Sequence, residues 1–149
     1  MSCSVIIRPA VVGDVQELVG LLAERDRFYG ISRPDPHPAA VEDALFGPLP
    51  AGRALVALYD GEVVGLAAYS FLWPAAGVTR SLYLKELFVQ ATARRHGIGR
   101  ALMRELHAVA EEHRCSRIEW TADTDQPDAQ RFYASLGAEP LATKVFYRA

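Results

Sequence analysis

The sequence predicts an α/β (α+β) fold, a mixed β-sheet with helices packed on it, and three observations carry that expectation. The run "RALVALYDGEVVGLAAYSFL" holds two β-rich stretches around Asp60 and Gly61, a dipeptide suited to a tight antiparallel turn. The strand "SLYLKELFV", a helix from Ile98 and the strand "RIEWTA" follow one another, and strand–helix–strand implies a parallel pair. The chain has 149 residues, half of them hydrophobic, which suits one domain, 1–149, with a core of its own.

Taken in order, "SVIIRPA" reads as a first strand ending at Pro9. Asp14 stands where a helix N-cap belongs, and Val15, Leu18, Val19, Leu21 and Leu22 then recur at helical spacing. "ISRPDPHP" carries three prolines and is a loop. "AAVEDALFG" reads as a short helix closed by Gly47 and Pro48, and the Asp-Gly hairpin follows. "WPAAGVTR" is a loop, and "SLYLKELFV" is apolar enough for a central strand. From Ile98, the residues Ala101, Leu102, Leu106, Val109 and Ala110 share one helix face, with Arg100, Arg104, Glu111 and Arg114 off it. "QPDAQRFYASLG" is a helix with Pro127 in its first turn and Gly137 past its end. "KVFYRA" closes the chain as an expected last strand.

Composition narrows the function classes. Charged residues make up 23% and the formal net charge is -2, which argues against a dedicated nucleic-acid binder. Cys3 and Cys115 have no near partner and form no Cys-x-x-Cys, so neither a disulfide scaffold nor a zinc site is expected, and no metal is called for. The N-terminus lacks a basic leader with an apolar run behind it, and no apolar stretch reaches the ~18 residues of a membrane span. A cytoplasmic protein is the expectation.

The chemistry concentrates in "VQATARRHGIGRALM". A helix N-terminus exposes unpaired N–H groups and a partial positive charge. Gly97 and Gly99 permit positive φ and close backbone approach, and Arg94, Arg95, His96 and Arg100 cluster there. This pattern suits phosphate; glycines that merely shape a turn among solvated arginines are the alternative. A Walker loop needs Gly-Lys-Ser/Thr, which is absent. A dinucleotide loop needs a third glycine, where Leu102 stands.

Arg94, Gly97 and Gly99 after a buried strand, then Ala129, Phe132, Tyr133, Gly137 and Ala138 in "QPDAQRFYASLGA", resemble the two landmark motifs of the GNAT superfamily of acyl-CoA-dependent N-acetyltransferases. The resemblance is strongest from Leu82 to Ala138. It implies a mixed, mostly antiparallel sheet with a parallel, splayed strand pair and about four flanking helices. It implies acetyl-CoA as co-substrate, with backbone amides of Arg95, His96, Gly97, Ile98, Gly99 and Arg100 on the pyrophosphate. Leu87, Phe88 and Val89 would pair with the pantetheine arm, and a main-chain N–H there would polarise the thioester carbonyl. Gln126, where the family has asparagine, Ala129 and Tyr133 would flank the cofactor from the last helix.

Tyr133 is the candidate acid for the leaving thiolate; an aromatic that only caps the core is the other reading. The strand and the "SFLWPAAGVTRS" loop resemble the spermidine/spermine and thialysine N-acetyltransferase branch, which carries two adjacent acids on this strand. Here Lys85 replaces the first and Glu86 remains, either as a base acting through water or in an ordinary ion pair. The lysine counts against a polyamine and in favour of an acceptor bearing a carboxylate. Trp73 and the "ERDRFYG" segment, Glu24 to Gly30, stand where that branch shapes its acceptor pocket, with Asp26 and Tyr29 as its acceptor contacts. Segments 31–38 and 72–80 are expected to cover the site. The implied activity is direct transfer of acetyl to a primary amine of a small molecule, polyamine- or amino-acid-like, by a homodimer that binds neither nucleic acid nor membrane. A protein N-acetyltransferase and a non-catalytic acyl-CoA-binding module are the alternatives.

Overall fold

Alternating apolar residues build five strands in the computed structural model, which describes residues 4–149. They are β1 (Val5–Pro9), β2 (Arg53–Tyr59), β3 (Glu62–Leu72), β4 (Arg80–Val89) and β5 (Cys115–Glu119), and they lie side by side in chain order. The first four run antiparallel and β5 is parallel to β4. The helices are α1 (Val15–Phe28), α2 (Pro38–Phe46), α3 (Ile98–Glu112) and α4 (Pro127–Ser135). Asp60 and Gly61 both take positive φ, 49° and 84°, as a two-residue hairpin turn requires. Among the described residues no helix is long and apolar enough to cross a membrane.

The sheet is covered on both faces. Val15, Leu18 and Leu21 of α1 and Val41 of α2 pack on Val56, Leu66 and Phe88. On the other face Ile98, Leu102 and Leu106 of α3 pack on Leu55, Ala67, Leu82 and Leu84, and Phe132 and Leu136 of α4 join them. Asp14 opens α1 without capping it. Its carboxylate turns back to accept from Arg8 at 2.7 and 2.9 Å and from the Val11 N–H at 2.8 Å.

Two features of β4 shape everything near the site. Its register against β3 jumps from Tyr69 opposite Leu84 to Ala68 opposite Glu86, so Lys85 is an extra, unpaired residue. Leu82 and Leu84 face α3, and strict alternation would send Glu86 into that core as well. The bulge resets the phase. Phe88 faces α1, and Glu86 meets Arg25 of the same helix. The second feature is a divergence. The β4–β5 ladder ends at Tyr83 opposite Glu119, yet β4 runs on to Val89. The parallel pair is therefore splayed, and residues 84–89 of β4 have no β5 partner.

Some sequence expectations are corrected here. "KVFYRA" forms no strand and pairs with none among the described residues; Val145, Phe146 and Tyr147 stand exposed. β5 begins at Cys115, not Arg117, and ends before Trp120, because the strands separate there. The loop after β3 does not cover the cleft. Thr79 bonds the Ser116 hydroxyl at 2.7 Å, which ties the loop to the start of β5, at the opposite end of the strand pair from the divergence. Trp73 goes with it, 70% exposed, its indole N–H on the Val78 carbonyl. Cys115 is a free thiol, and Cys3 lies outside the described residues.

Candidate active site

The loop after β4 is built to leave donors unused. Gly97 caps α3 with φ 74°, a conformation that a side chain would strain. No side chain caps the helix and no acid sits in its first turn. The first internal bond runs from the Ala101 N–H to the Gly97 carbonyl, and the N–H groups of Ile98, Gly99 and Arg100 take no acceptor among the described residues. Three amides and a helix dipole converge on open space, as an anion needs.

The side chains of this loop divide into two groups. Arg95 has φ 66° and is exposed, as is Arg100, whose guanidinium touches the Ser135 hydroxyl at 3.2 Å. Others hold the loop together. Ile98 is buried in the core, so only its amide is available. His96 lies 3.1 Å from the Ala93 carbonyl and stacks on Tyr59 at 4.8 Å. Arg94 donates through Nε to the Val89 carbonyl at 3.0 Å and lies over the Phe28 ring at 4.4 Å, which ties the loop to α1.

Gly99 has a role that its motif does not announce. A Cβ there would stand 3.2 Å from Cζ of Phe132. The missing side chain lets α4 rest on the start of α3, and α4 carries Tyr133. Gln126 and Ala129, half-buried, lie at the N-cap and in the first turn of the same helix. The Tyr133 ring packs on Trp120, just past the end of β5, at 5.1 Å. Burial pushes its hydroxyl up to about 12, and the nearby Tyr29 and Glu86 push the same way. Tyr133, Tyr29 and Glu86 are therefore near neighbours beside the diverging strands.

Glu86 accepts from Nη1 of Arg25 at 2.9 Å through Oε2. Burial raises its pKa above the ordinary carboxylate range, although Arg25 and Lys85 oppose the shift. Oε1 has no partner among the described residues and is free to accept a proton or a water hydrogen. Asp26 does not reach the cleft as a free acid. It is 5% exposed and holds both Arg25 and Arg33, and Arg33 lowers its pKa most. Tyr29, 40% exposed, borders the cleft. Segment 31–38 stands alongside, fastened by Arg33 and by the Ile31 N–H on the Asp26 carbonyl at 2.8 Å. Leu87 and Val89 send side chains toward the α3 core and Phe88 into the α1 core, which leaves the backbone edge of β4 for a ligand.

The sequence points to the segment Glu24–Gly30 but not to Arg25 as the partner of Glu86, and it misses Arg33 and Trp120. Arg25 lies one helical turn before Phe28 on a helix rich in charge, and only the fold brings it to β4. Asp123 was also missed; it lies close enough to Tyr29 to influence its hydroxyl.

The donor implied by the resemblance can be tested against these residues. A pyrophosphate fits the three unused amides at α3, and an amide-bearing arm fits the unpaired edge of residues 84–89. A sequence profile described as the acetyltransferase (GNAT) family matches residues 18–138. The chain is 26% identical over 141 residues to an aminoglycoside N(6')-acetyltransferase type 1 of Serratia marcescens, covering 93% of this chain and 96% of that one. It is 29% identical over 149 residues to a thialysine N-epsilon-acetyltransferase of Bos taurus, covering 92% and 85%. An integron cassette protein structure from the mobile metagenome of V. cholerae superposes with a TM-score of 0.82 at 32% identity, covering 98% and 92%. With the splayed sheet and the amide cradle at α3, the matched profile over most of its length makes the chain a member of the acetyltransferase (GNAT) family and an N-acetyltransferase.

Proposed function

We propose that the protein transfers an acetyl group from acetyl-CoA to the primary amine of a small molecule, directly, with both substrates bound. One observation carries the reading. Glu86 lies close enough to Tyr133 to raise its hydroxyl pKa, where β4 leaves β5 and next to an amide cradle suited to the donor's pyrophosphate. The donor supplies an activated thioester.

The chain's residues would do the rest. The N–H groups of residues 98–100 hold the pyrophosphate, and the free β4 edge aligns the arm that carries the thioester. A main-chain N–H near Leu87 polarises the carbonyl as its oxygen gains charge. Glu86 receives the proton of the attacking amine at Oε1, directly or through one water, and its raised pKa makes it a stronger base than an ordinary carboxylate. The C–S bond breaks as the C–N bond forms, and the Tyr133 hydroxyl donates to the departing sulfur. The printed names of the relatives, aminoglycoside and thialysine acetyltransferases, support amine acceptors. The exposed Leu141, Val145, Phe146 and Tyr147 support a homodimer through the C-terminal segment, and a cytoplasmic location completes the reading.

The test is free-thiol release from acetyl-CoA against a panel of primary amines. Amine-dependent release, with the product one acetyl group heavier by mass spectrometry, is expected. CoA binding with no turnover on any amine would refute the catalytic reading and leave an acyl-CoA-binding module.

A further inference from the structure

Beside Glu86 stands an amine that the chain itself supplies. The sequence holds two lysines, Lys85 and Lys144; its other long cationic side chains are arginines. A guanidinium stays protonated in a protein, whereas an ε-ammonium can lose its proton to a neighbouring base and then attack a carbonyl. Arg25, Arg33, Arg94, Arg95 and Arg100 around the site are therefore inert to a thioester. Lys85 is not.

The bulge decides where Lys85 goes. Leu82 and Leu84 face α3, so alternation turns Lys85 to the α1 face. The phase changes after it, and Glu86 falls on that same face, against Arg25. An amine and a carboxylate on consecutive residues thus leave the strand together, which a regular strand forbids. Lys85 is exposed and has no hydrogen bond or ion pair among the described residues. Its charge lowers the pKa of Glu86, so the amine stands close to a carboxylate that keeps one oxygen free. The strand edge beside it, from residue 84 on, has no β5 partner. Leu87 lies two residues further, about 7 Å along the strand, and a four-carbon stem with its amine spans about that distance. Lys144 has no such setting. It is exposed in the C-terminal run, between a threonine and a valine.

We propose that Lys85 is a modification site, acetylated on Nζ by the chain's own centre when acetyl-CoA is bound and no amine fills the acceptor side. The inference rests on the acetyltransferase reading above. One proton of the Lys85 ammonium passes to Oε1 of Glu86, and the freed lone pair attacks the thioester carbonyl. The C–S bond breaks as the C–N bond forms. The second proton, from the new amide nitrogen, ends on the sulfur of CoA, which leaves as a thiol. The acetylated side chain is neutral, so a cation that lowers the Glu86 pKa is lost. A centre left with donor and no acceptor thereby retunes its own base.

The test incubates the full chain with acetyl-CoA alone and maps its peptides by mass spectrometry, with Lys144 as the internal measure of uncatalysed acetylation. Lys85 is expected to gain one acetyl group tenfold or more faster than Lys144, at a rate per chain that does not change with protein concentration. Excess CoA should suppress the reaction at Lys85 and leave Lys144 as it was, and Glu86→Gln should do the same. No acetyl group on Lys85, equal rates at the two lysines, a rate that climbs with protein concentration, or a Lys85 reaction indifferent to CoA or to Glu86→Gln would each overturn the proposal. The amine panel separates it from the reading it rests on. Amines acetylated while Lys85 stays bare would sink self-acetylation alone. Lys85 acetylated with no amine turned over would sink the small-molecule reading alone.

Discussion

Replacing Tyr133 by phenylalanine removes one oxygen from a ring that otherwise keeps its packing on Trp120 and Phe132. The hydroxyl pKa of about 12 sets what is lost. An ordinary thiol has a pKa of about 8.5, so complete transfer of the phenol proton to a free thiolate runs uphill by roughly 3.5 pH units, or about 5 kcal/mol. In the proposed mechanism Tyr133 would then act as a neutral hydrogen-bond donor to sulfur while charge develops, and the proton that finally settles there would come from the amine by way of solvent. A hydrogen bond to a charged group is worth about 1.5–3 kcal/mol, so kcat should fall roughly 10- to 150-fold. Thiol release at saturating donor and amine measures it, with CoA affinity expected unchanged within about twofold. The same raised pKa means that the wild-type rate shows no falling limb from this group below about pH 11. A drop under about threefold, or a falling limb near pH 10 that disappears in Tyr133→Phe, would refute the reasoning.

Arg25→Gln removes the guanidinium that holds down the Glu86 pKa, so the rising acid limb of the rate profile should move to higher pH. The linkage sign follows from the same raised pKa: the folded protein keeps a proton on Glu86 that the unfolded chain has lost. Glu86 therefore costs stability as pH rises through its folded pKa, and Glu86→Gln should gain stability relative to wild type in that window, read by urea midpoints at several pH values. Asp14 has the opposite sign, because the Arg8 hydrogen bond depresses its pKa. Its contribution is present above the ordinary carboxylate pKa and fades as pH falls through the folded value, and Asp14→Ala should cost about 1–2 kcal/mol at neutral pH in urea melts. Gly99→Ala asks Phe132 to give by a few tenths of an ångström and should fold and turn over nearly as wild type, whereas Gly99→Val should displace α4 and lower kcat tenfold or more.

The elements that were legible in the sequence are those with local causes. The Asp60–Gly61 turn, the α3 face and the amide cradle under Gly97 follow from residues that need particular dihedrals or a particular period. The bulge at Lys85 has no such signature. Leu82, Leu84, Glu86 and Phe88 look like one uninterrupted alternating face, and only the register with β3 shows that the phase changes between Leu84 and Glu86. The pairing of Arg25 with Glu86 is likewise invisible, since 61 residues separate the two. Gly99 was read for its backbone and turns out to act through the space it leaves. The C-terminal run has strand-like residues yet pairs with no strand among the described residues, and β propensity depends on what a strand packs against.

The divergence of β4 from β5 leaves a row of backbone amides and carbonyls with no strand beside them, in a sheet otherwise closed along that edge by β5. Such an edge is an incomplete piece of folding. A donor arm lying along residues 84–89 would act as a sixth strand, and its binding would be the last step of sheet assembly as much as recognition. Amide hydrogen exchange along residues 84–89 would then slow sharply when CoA is added, and the melting temperature would climb with CoA concentration. The empty protein would be held slightly open at its centre by design of its topology, waiting for a strand that it does not encode.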